Sequence, residues 1–327
     1  MRHFITGRPR VRWDQGPITF PAGGGQTGGV PRIAALVALV LLPAPLLAQE
    51  LEPRAYSNAP VGTNFVVAGY THFSGKVLLD PALPVTDVDS RVDVYSLGYS
   101  RFFGLFGRSA NFAVVLPYFE GDLTGNVLDA PAEVHRAGWG DLRLRGAINL
   151  FGHPALTPAE FAKRSDAPSG GASLSVIAPT GQYVPSRFIN IGANRWAFKP
   201  EAGLSWPAGN WFAEVSGGVW LFTDNNDYAG GHRRSQEPLA VLQLHAGYNF
   251  RPGMWLAVDY GHYAGGRTAL DGVDNDDSQR NSRLGAVFAV PVATGWSAKL
   301  GWSKGTIVRA GGDYRILTLA LQYRFFD

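Results

Sequence analysis

The sequence predicts an all-β fold, a transmembrane antiparallel up-and-down β-barrel of about 12 strands. Three observations predict this fold class. From residue 61 onward, apolar and polar residues alternate in successive segments, which is the period of a β-strand. Tight turns and long polar connections alternate between these segments, as they do at the two rims of an outer-membrane barrel. An apolar run near the N-terminus has the length and flanking residues of a secretory signal.

Residues 1–48 are predicted to be a leader that includes a cleaved signal peptide. Arg32 is followed by a short apolar run that ends in small residues up to Ala48. Because the run is shorter than the ~20 residues of a membrane-spanning helix, a cleaved signal is favoured over an anchor. Residues 1–30 are rich in Gly, Pro and Arg and lack apolar periodicity, and we hypothesise that translation starts near Val30.

The rest of the chain is divided into two parts. Residues 49–60 are expected to form a periplasmic tether, and the sequence does not decide whether this tether or a loop plugs the lumen. Residues 61–327 are expected to form the barrel, in the outer membrane of a Gram-negative bacterium.

The composition excludes several classes of partner and site. The chain has 29 Lys and Arg residues and 26 Asp and Glu residues, but five of the former and one of the latter lie in the leader. The remainder is close to neutral, which argues against nucleic acid as a partner. Cysteine is absent, which excludes disulfides, thiolate metal sites and cysteine nucleophiles.

The segment 138–150 illustrates the strand pattern. Leu142 and Leu144 share one parity, whereas Arg143 and Arg145 share the other. Successive side chains of a strand point to opposite faces, so the segment has one apolar and one charged face. A helix would place the two leucines about 200° apart and scatter the charges around its circumference.

The connections between the segments are of two kinds. Tight turns are predicted at 105–109, 207–210, 251–253 and 293–295. Long polar loops are predicted at 74–88, 122–137, 181–195, 224–236 and 266–280. The connection 152–170 falls on the rim of the tight turns but is long, and a short helix is predicted at 158–164.

Alternation alone does not show which face of the strands points outward. In a soluble barrel the apolar face fills the interior, whereas in a membrane barrel it faces lipid. Side chains fill a barrel of ~8 strands, so about twelve strands would leave a void in a soluble barrel. Tryptophans beside tight turns are predicted to form a girdle at the membrane interface. They are Trp206, Trp211, Trp255 and Trp296. These features favour the membrane barrel.

The last segment resembles the terminal strand that the outer-membrane assembly machinery recognises. Leu317, Leu321 and Phe325 share one parity in this segment. Such strands usually end on the aromatic residue, whereas Phe326 and Asp327 follow here. The expected partners are therefore the assembly machinery, membrane lipid and lipopolysaccharide.

The opposite face points into the interior and carries charges of both signs. Burying so many charges without water or partners would cost several kcal/mol each, so the interior is expected to be wet or densely paired. The candidate lumen residues are Asp141, Arg143, Arg145, Lys199, Glu201, Glu214, Asp259, Arg283, Lys299 and Arg324. With both signs present in similar number, no strong preference for anions or cations is predicted.

Two blocks of sequence resemble a known family. The first is Gly-Trp-Gly-Asp-Leu-Arg-Leu at 138–144. The second contains Pro179, Thr180, Gly181, Asn190, Gly192, Asn194 and Trp196. Together they are similar to a family of Gram-negative outer-membrane transporters of the "MetA pathway" of phenol degradation. The resemblance implies an outer-membrane β-barrel and, more weakly, passage of aromatic or other hydrophobic compounds. We interpret Asn190 and Asn194 as residues that bond the loop backbone, in preference to a role in solute contact.

No pattern predicts a cofactor, a metal site or a catalytic site. The histidines after the leader are single, at positions 72, 135, 153, 232, 245 and 262, without the spacing of a metal pair. The acidic loop 271–278 resembles a calcium loop only crudely, because the closing glutamate is missing. His72 and Ser100 lie on neighbouring predicted strands and are the candidate pair for lipid hydrolysis, but no supporting Asn or Asp is evident beside them.

The sequence therefore predicts a channel for passive passage of small solutes, in particular aromatic or hydrophobic ones. A closed barrel with a structural or adhesive role is the alternative, and an outer-membrane phospholipase is less favoured.

Overall fold

The computed structural model describes residues 11–12, 51–78, 85–127, 130–152, 154–187 and 189–327. These residues form a closed antiparallel barrel of twelve strands, which confirms the predicted fold class. The strands are β1 Thr63–Leu78, β2 Val85–Leu105, β3 Arg108–Val127, β4 Ala130–Trp139 continued by Leu142–Phe151, β5 Ser169–Ala178, β6 Ala197–Ala208, β7 Trp211–Phe222, β8 Leu239–Arg251, β9 Met254–Gly265, β10 Gln279–Ala293, β11 Trp296–Ile307 and β12 Gly311–Phe326. The predicted signal peptide lies outside the described residues.

The first and last strands close the barrel. β12 pairs with β1 along its whole length, from Gly311 opposite Leu78 to Phe326 opposite Thr63. Phe326 and Asp327, which follow the aromatic residue on which such strands usually end, both contact β1. Phe326 pairs with Thr63, and the carboxylate of Asp327 accepts a hydrogen bond from Asn64 at 2.6 Å.

The apolar face of the strands points outward. Leu317, Leu319 and Leu321 are 47%, 52% and 43% exposed, whereas the inward-facing Asp259 and Arg283 are each 1% exposed. A soluble barrel would show the reverse, with leucines inside and charges in water. The exposures therefore identify a membrane barrel.

Tight turns close one rim, which also holds the start of β1 and the end of β12. Gly107, Gly209, Gly253 and Gly295 occupy these turns with φ of 72°, 60°, 78° and 76°, a left-handed conformation that glycine adopts without steric cost. The long connection on this rim contains the helix α1 (Pro158–Phe161). This helix is shorter than predicted, and no helix in the described part of the chain is long and apolar enough to span a membrane.

The opposite rim differs from the prediction. The segments 74–88 and 122–137, predicted as long loops, are mostly strand, because β1 to β4 continue beyond the height of their neighbours. The loops 224–236 and 266–280 contain a small sheet built from Asn225–Tyr228, His232–Gln236, Thr268–Leu270 and Val273–Asp274. The outward residues of the extended strands β1 to β4 are polar, as expected above the lipid. This polarity is why the sequence predicts loops there.

The wall is interrupted at β4. Gly140 and Asp141 separate its two segments, both of which pair with β3 on one side. On the other side, Leu142–Phe151 pairs with β5, whereas Ala130–Trp139 has no barrel strand beside it. In the described part of the chain, the only ladder on that edge is the two-residue pairing with Val11–Arg12. The upper wall therefore has a gap between β4 and β6.

Candidate functional site

The barrel interior consists of two chemically different zones. The lower lumen, within about ten residues of the tight-turn rim, carries most of the charged side chains. The upper lumen, farther from that rim, contains two apolar clusters. One cluster includes Phe73, Val92, Phe119 and Tyr314. The interior is thus charged below and apolar above.

Residues 51–60, the inner segment, lie inside the lower lumen. The hydroxyl of Tyr56 donates to Oε1 of Glu201 at 3.0 Å, and the hydroxyl of Ser57 donates to Glu214 at 3.2 Å. The guanidinium of Arg54 lies 4.3 Å from the ring centroid of Phe212. The described part of the predicted tether therefore occupies the lumen, which the sequence left open, because alternation cannot reveal a segment held by wall side chains.

The charges of the lower lumen are largely paired. The carboxylate of Glu52 lies in the field of four cations, Arg145, Lys199, Arg143 and Lys299. Lys199 also forms an ion pair with Glu201 at 2.9 Å. Asp259 pairs with His245 at 2.6 Å, with both side chains almost completely buried. The lower lumen is therefore densely paired and occupied by protein.

Eight of the ten candidate lumen residues lie inside the barrel. They are Arg143, Arg145, Lys199, Glu201, Glu214, Asp259, Arg283 and Lys299. Arg283 lies above the charged layer, where its Nη1 donates to the carbonyl of Tyr314 at 3.0 Å. Arg324 has the inward parity of β12 but is exposed at the tight-turn rim, with its guanidinium 5.5 Å from the ring of Phe326.

Asp141 has a different role from the one predicted. It is 2% exposed at the interruption of β4. Its two carboxylate oxygens accept hydrogen bonds from the backbone N–H groups of Gly181 and Ala193, each at 2.8 Å. Asp141 therefore holds the loop 179–196 against the gap and does not line a channel.

The family-like motif lies in that loop. The side-chain oxygen of Asn190 accepts from Val184 N at 2.8 Å, and its amide donates to the carbonyl of Arg187 at 2.8 Å. The amide of Asn194 donates to Asn225 at 3.0 Å. The hydroxyl of Thr180 accepts from Leu142 N at 2.9 Å. These side chains bond the loop and its surroundings, as expected for turn amides.

The remaining motif residues pack where the loop meets the wall. A Cβ at Gly181 or at Gly192 would lie 2.8 or 3.1 Å from Oδ1 of Asp141, so both positions need glycine. Pro179 directly follows β5. Trp196 directly precedes β6, faces outward and is 44% exposed. The motif therefore fits a closely packed loop.

The same loop closes the gap in the wall without forming a strand. The backbone N–H of Gln182 donates to the carbonyl of Trp139 at 2.9 Å. Nε of Arg136 donates to the carbonyl of Ile189 at 3.0 Å. Among the described residues, hydrogen bonds at separate points thus join the loop to the upper segment of β4, in place of a continuous ladder.

An apolar cavity lies in the upper lumen beside this loop. It is partly open, and its empty space together with the adjoining solvent amounts to about 480 Å³. Its lining residues are Ser90, Val92, Phe119, Gly121, Leu123, Arg136, Ile189, Asn190, Ile191 and Tyr314. Aliphatic and aromatic side chains dominate this surface, so the cavity suits an apolar molecule.

The aromatic residues at the membrane interfaces differ partly from the prediction. Trp206, Trp211 and Trp296 lie on the outer face beside tight turns and are 60%, 62% and 40% exposed. Trp255 was wrongly placed, because it is 7% exposed and points inward against Phe212, with the ring centroids 6.1 Å apart. Leu256 and Val258 face outward on β9, so Trp255, one position before Leu256, faces inward.

A second aromatic band was not predicted. The rings of Tyr70 and Tyr95 are 5.5 Å apart on the outer face, and those of Tyr118 and Trp139 are 5.2 Å apart. These residues lie midway along long strands, so only their shared height on neighbouring strands could have identified them.

The structure does not bring the candidate hydrolytic pair together. His72 faces outward and its Nδ1 lies 2.7 Å from Asp93, whereas Ser100 lies opposite Phe65 near the other rim. The imidazole and the hydroxyl are therefore on opposite faces of the wall. His153 lies outside the described residues.

The acidic loop 271–278 uses its carboxylates within the protein. Asp271 pairs with His232 at 2.6 Å, and Asp277 accepts from the hydroxyl of Thr268 at 2.6 Å. Hydrogen bonds from His232 and from Arg233 N lower the pKa of Asp271 below its ordinary value. Within the described ranges, no group of three or more His, Cys, Asp or Glu side chains could hold a metal ion.

Comparison with known proteins gives both a family and a fold. Residues 60–325 match the family described as "Putative MetA-pathway of phenol degradation". The crystal structure of an outer-membrane channel from Pseudomonas putida F1 is similar, with a TM-score of 0.71 and 24% identity, over 84% of this chain and 100% of that chain. This similarity shows a shared fold.

Two further structures are more distant. The β-domain of the Bordetella autotransporter BrkA has a TM-score of 0.47 and 14% identity, over 81% of this chain and 100% of that chain. The Pseudomonas putida toluene transporter TodX has a TM-score of 0.43 and 12% identity, over 84% of this chain and 90% of that chain. No curated protein matches the sequence.

Proposed function

The chain belongs to the family of the MetA pathway of phenol degradation, and on this premise we propose that it is a passive channel for small hydrophobic, in particular aromatic, solutes. It acts in the outer membrane of a Gram-negative bacterium, without a cofactor and without enzymatic activity. One observation carries this proposal: an apolar cavity in the upper lumen adjoins an interruption of the barrel wall.

The upper lumen supports entrance of apolar solutes from outside the cell. Phe119, Leu123 and Tyr314 line the cavity, and transfer of apolar surface from water to such a lining is favourable by ~25 cal/mol per Å². A polar solute would lose hydration over most of this lining, where Ser90, Arg136 and Asn190 are the polar side chains among the described residues. The cavity therefore selects against hydrophilic molecules.

The lower lumen favours exit of the solute sideways through the wall into the lipid over passage straight through to the periplasm. The inner segment, its hydrogen bonds to Glu201 and Glu214, and the ion pair between Glu201 and Lys199 fill the route to the periplasmic rim. The loop 179–196 covers the gap with a few hydrogen bonds to the upper segment of β4. Displacement of this loop would connect the cavity with the lipid beside Trp139.

The expected partners follow from this location. Lipid contacts the outward leucines, and lipopolysaccharide surrounds the polar outer faces of the extended strands β1 to β4. The assembly machinery is proposed to recognise β12. Nucleic acid is not a partner.

Uptake of a hydrophobic dye tests this function. Cells that express the chain are mixed with N-phenylnaphthylamine, an aromatic compound that fluoresces on entering lipid, and the initial rate is measured. We expect wild type to accelerate uptake several-fold over cells without it. Leu123→Trp, which fills the cavity, should abolish the acceleration. Leu116→Trp, on the lipid face of the same strand, is the matched control and should not.

The filled lower lumen favours one alternative, a closed barrel with a structural or adhesive role. That barrel would give no faster dye uptake than cells without it, although folded protein is present in the outer membrane. Equal uptake by wild type and Leu123→Trp would likewise reject the cavity as the route.

A further inference from the structure

Two arginines are buried at the outer end of the barrel, in the loop 179–196 and in the small sheet beside it. Arg195, within the family-like motif and just before β6, is 3% exposed. Arg234, in the short strand His232–Gln236, is 7% exposed. Arginine stays charged in proteins, so this region holds two buried positive charges.

Neither guanidinium has a carboxylate partner within the part of the chain that the structure describes. Arg195 donates through Nη2 to the side-chain oxygen of Gln236, but its Nη1 is buried without a hydrogen-bond partner. Nη2 of Arg234 is likewise buried without a partner. Among the described residues, no carboxylate forms an ion pair with either arginine.

The nearest acidic groups are engaged elsewhere. Asp224 pairs with the exposed Arg233, and Asp277 accepts hydrogen bonds from Thr268. Asp141 accepts from the two backbone N–H groups of the motif loop. Burial and the neighbouring charge of Arg234 lower the pKa of Arg195. The charges of Asp224, Asp141 and Asp277 act on the two arginines from nearby, but among the described residues none of these carboxylates forms an ion pair with either guanidinium.

Aromatic rings line the same region. The guanidinium of Arg195 lies 4.5 Å from the ring centroid of Phe222, which stacks on Trp220 with the centroids 6.5 Å apart. The guanidinium of Arg234 lies 5.4 Å from the ring centroid of Tyr228. Free donors beside aromatic faces match a ligand that combines an anionic group with a ring.

We propose that Arg195 and Arg234 bind the carboxylate of an aromatic acid, whose ring packs against Phe222 and Tyr228. A carboxylate presents two acceptor oxygens in the geometry that guanidinium donors match. A single negative charge also reduces the repulsion between the two arginines. The proposal rests on the proposed function and narrows it, because the solutes would include aromatic acids as well as neutral compounds.

The position of the pair supports contact with a passing solute. Arg195 belongs to the loop 179–196, whose Ile189 and Ile191 line the apolar cavity. An aromatic acid in the upper lumen therefore meets an apolar surface and one of the two arginines, Arg195, on the same loop.

Calorimetric titration of the purified wild-type barrel in detergent tests this site. Benzoate is the probe, benzyl alcohol supplies a ring without charge, and acetate supplies a carboxylate without a ring. We expect benzoate to bind at least about tenfold more tightly than either control ligand, a ratio that calorimetry resolves readily. Equal binding of acetate or phosphate would overturn the assignment to aromatic acids, and no binding of benzoate would overturn the site.

Three variants locate the binding. Arg195→Gln and Arg234→Gln each remove one charge and should weaken benzoate binding by about tenfold or more, because charge-assisted hydrogen bonds are lost. Arg309→Gln is the matched control, since its side chain is 43% exposed and pairs with Asp276 away from the site, and it should bind as wild type does. Unchanged binding in both test variants would contradict the proposal. If a variant does not fold, a benzoate-induced rise in the Tm of wild type that acetate does not produce serves as the readout.

This test is independent of transport. If wild type binds benzoate but does not accelerate dye uptake, the proposed function alone is rejected. If wild type accelerates dye uptake but does not bind benzoate, the arginine site alone is rejected.

Discussion

The hydroxyl of Tyr56 donates a hydrogen bond to Glu201 at 3.0 Å, joining the inner segment to strand β6 in the middle of the barrel. The same hydroxyl lies 3.0 Å from Oγ of Ser173 on β5. Tyr56 is 4% exposed, so these bonds are shielded from water. They are the most buried of the hydrogen bonds that hold the inner segment in place.

Tyr56→Phe is expected to loosen the inner segment. A hydrogen bond to a charged group contributes ~1.5–3 kcal/mol, enough to shift an equilibrium about tenfold or more. Single-channel recording in planar bilayers should therefore show more frequent openings than in wild type. Tyr70→Phe, on the outer face, is the control and should leave the opening frequency unchanged.

Replacement of residues 51–60 by a Gly-Ser linker should open the lower lumen to ions. The inner segment supplies Glu52 and Arg54, and without them water and ions can occupy the space between the wall charges. We expect steady conductance steps where wild type is mostly closed. A silent barrel that is folded by electrophoretic mobility would show that other residues close the lumen.

Asp141→Ala should release the loop 179–196 from the wall. The substitution leaves the N–H groups of Gly181 and Ala193 without their acceptor, at a cost of ~1–3 kcal/mol for each buried group. Hydrogen exchange at these two amides should accelerate by at least about tenfold. Asp122→Ala removes an exposed pair with His135 and is expected to have little effect. Equal exchange in both variants would contradict the anchoring role of Asp141.

The small sheet in the loops 224–236 and 266–280 should lose stability in acid. Because the folded pKa of Asp271 lies below its ordinary value, its contribution is complete above the unfolded pKa of ~3.9 and is lost as pH falls through the folded pKa. Pepsin cleavage of the loop 266–278 should therefore accelerate below about pH 4. Asp271→Asn tolerates the φ of 48° and should remove most of this dependence, whereas Asp166→Asn on the other rim should retain it.

Trp255→Ala is expected to destabilise the barrel by ~3–5 kcal/mol, since it removes a buried ring that packs on Phe212 and Arg54. Trp211→Ala, at a position 62% exposed to lipid, should cost clearly less. Urea unfolding in lipid vesicles measures both. Similar midpoints for the two variants would mean that the interior position of Trp255 contributes little.

The sequence predicts the wall well, because alternation such as Leu142, Arg143, Leu144 is a local property of a strand. Even there, a shift of one position decides whether Trp255 faces lipid or lumen. The interior is less predictable, since Tyr56 meets Glu201 only through the closed barrel. The pairing of Arg195 with Gln236 likewise needs two loops that are distant in the chain. No periodicity or residue spacing in the sequence predicts these contacts.

The pairing of β12 with β1 has a consequence for the order of folding. Thr63 and Phe326 are opposite neighbours, so the ladder that closes the barrel joins the two ends of the folded chain. Bringing such distant residues together carries the largest loop-closure entropy of any pairing in the molecule. We therefore expect closure to be the last step of folding, and a chain that stops short of β12 would leave two unpaired sheet edges in the membrane.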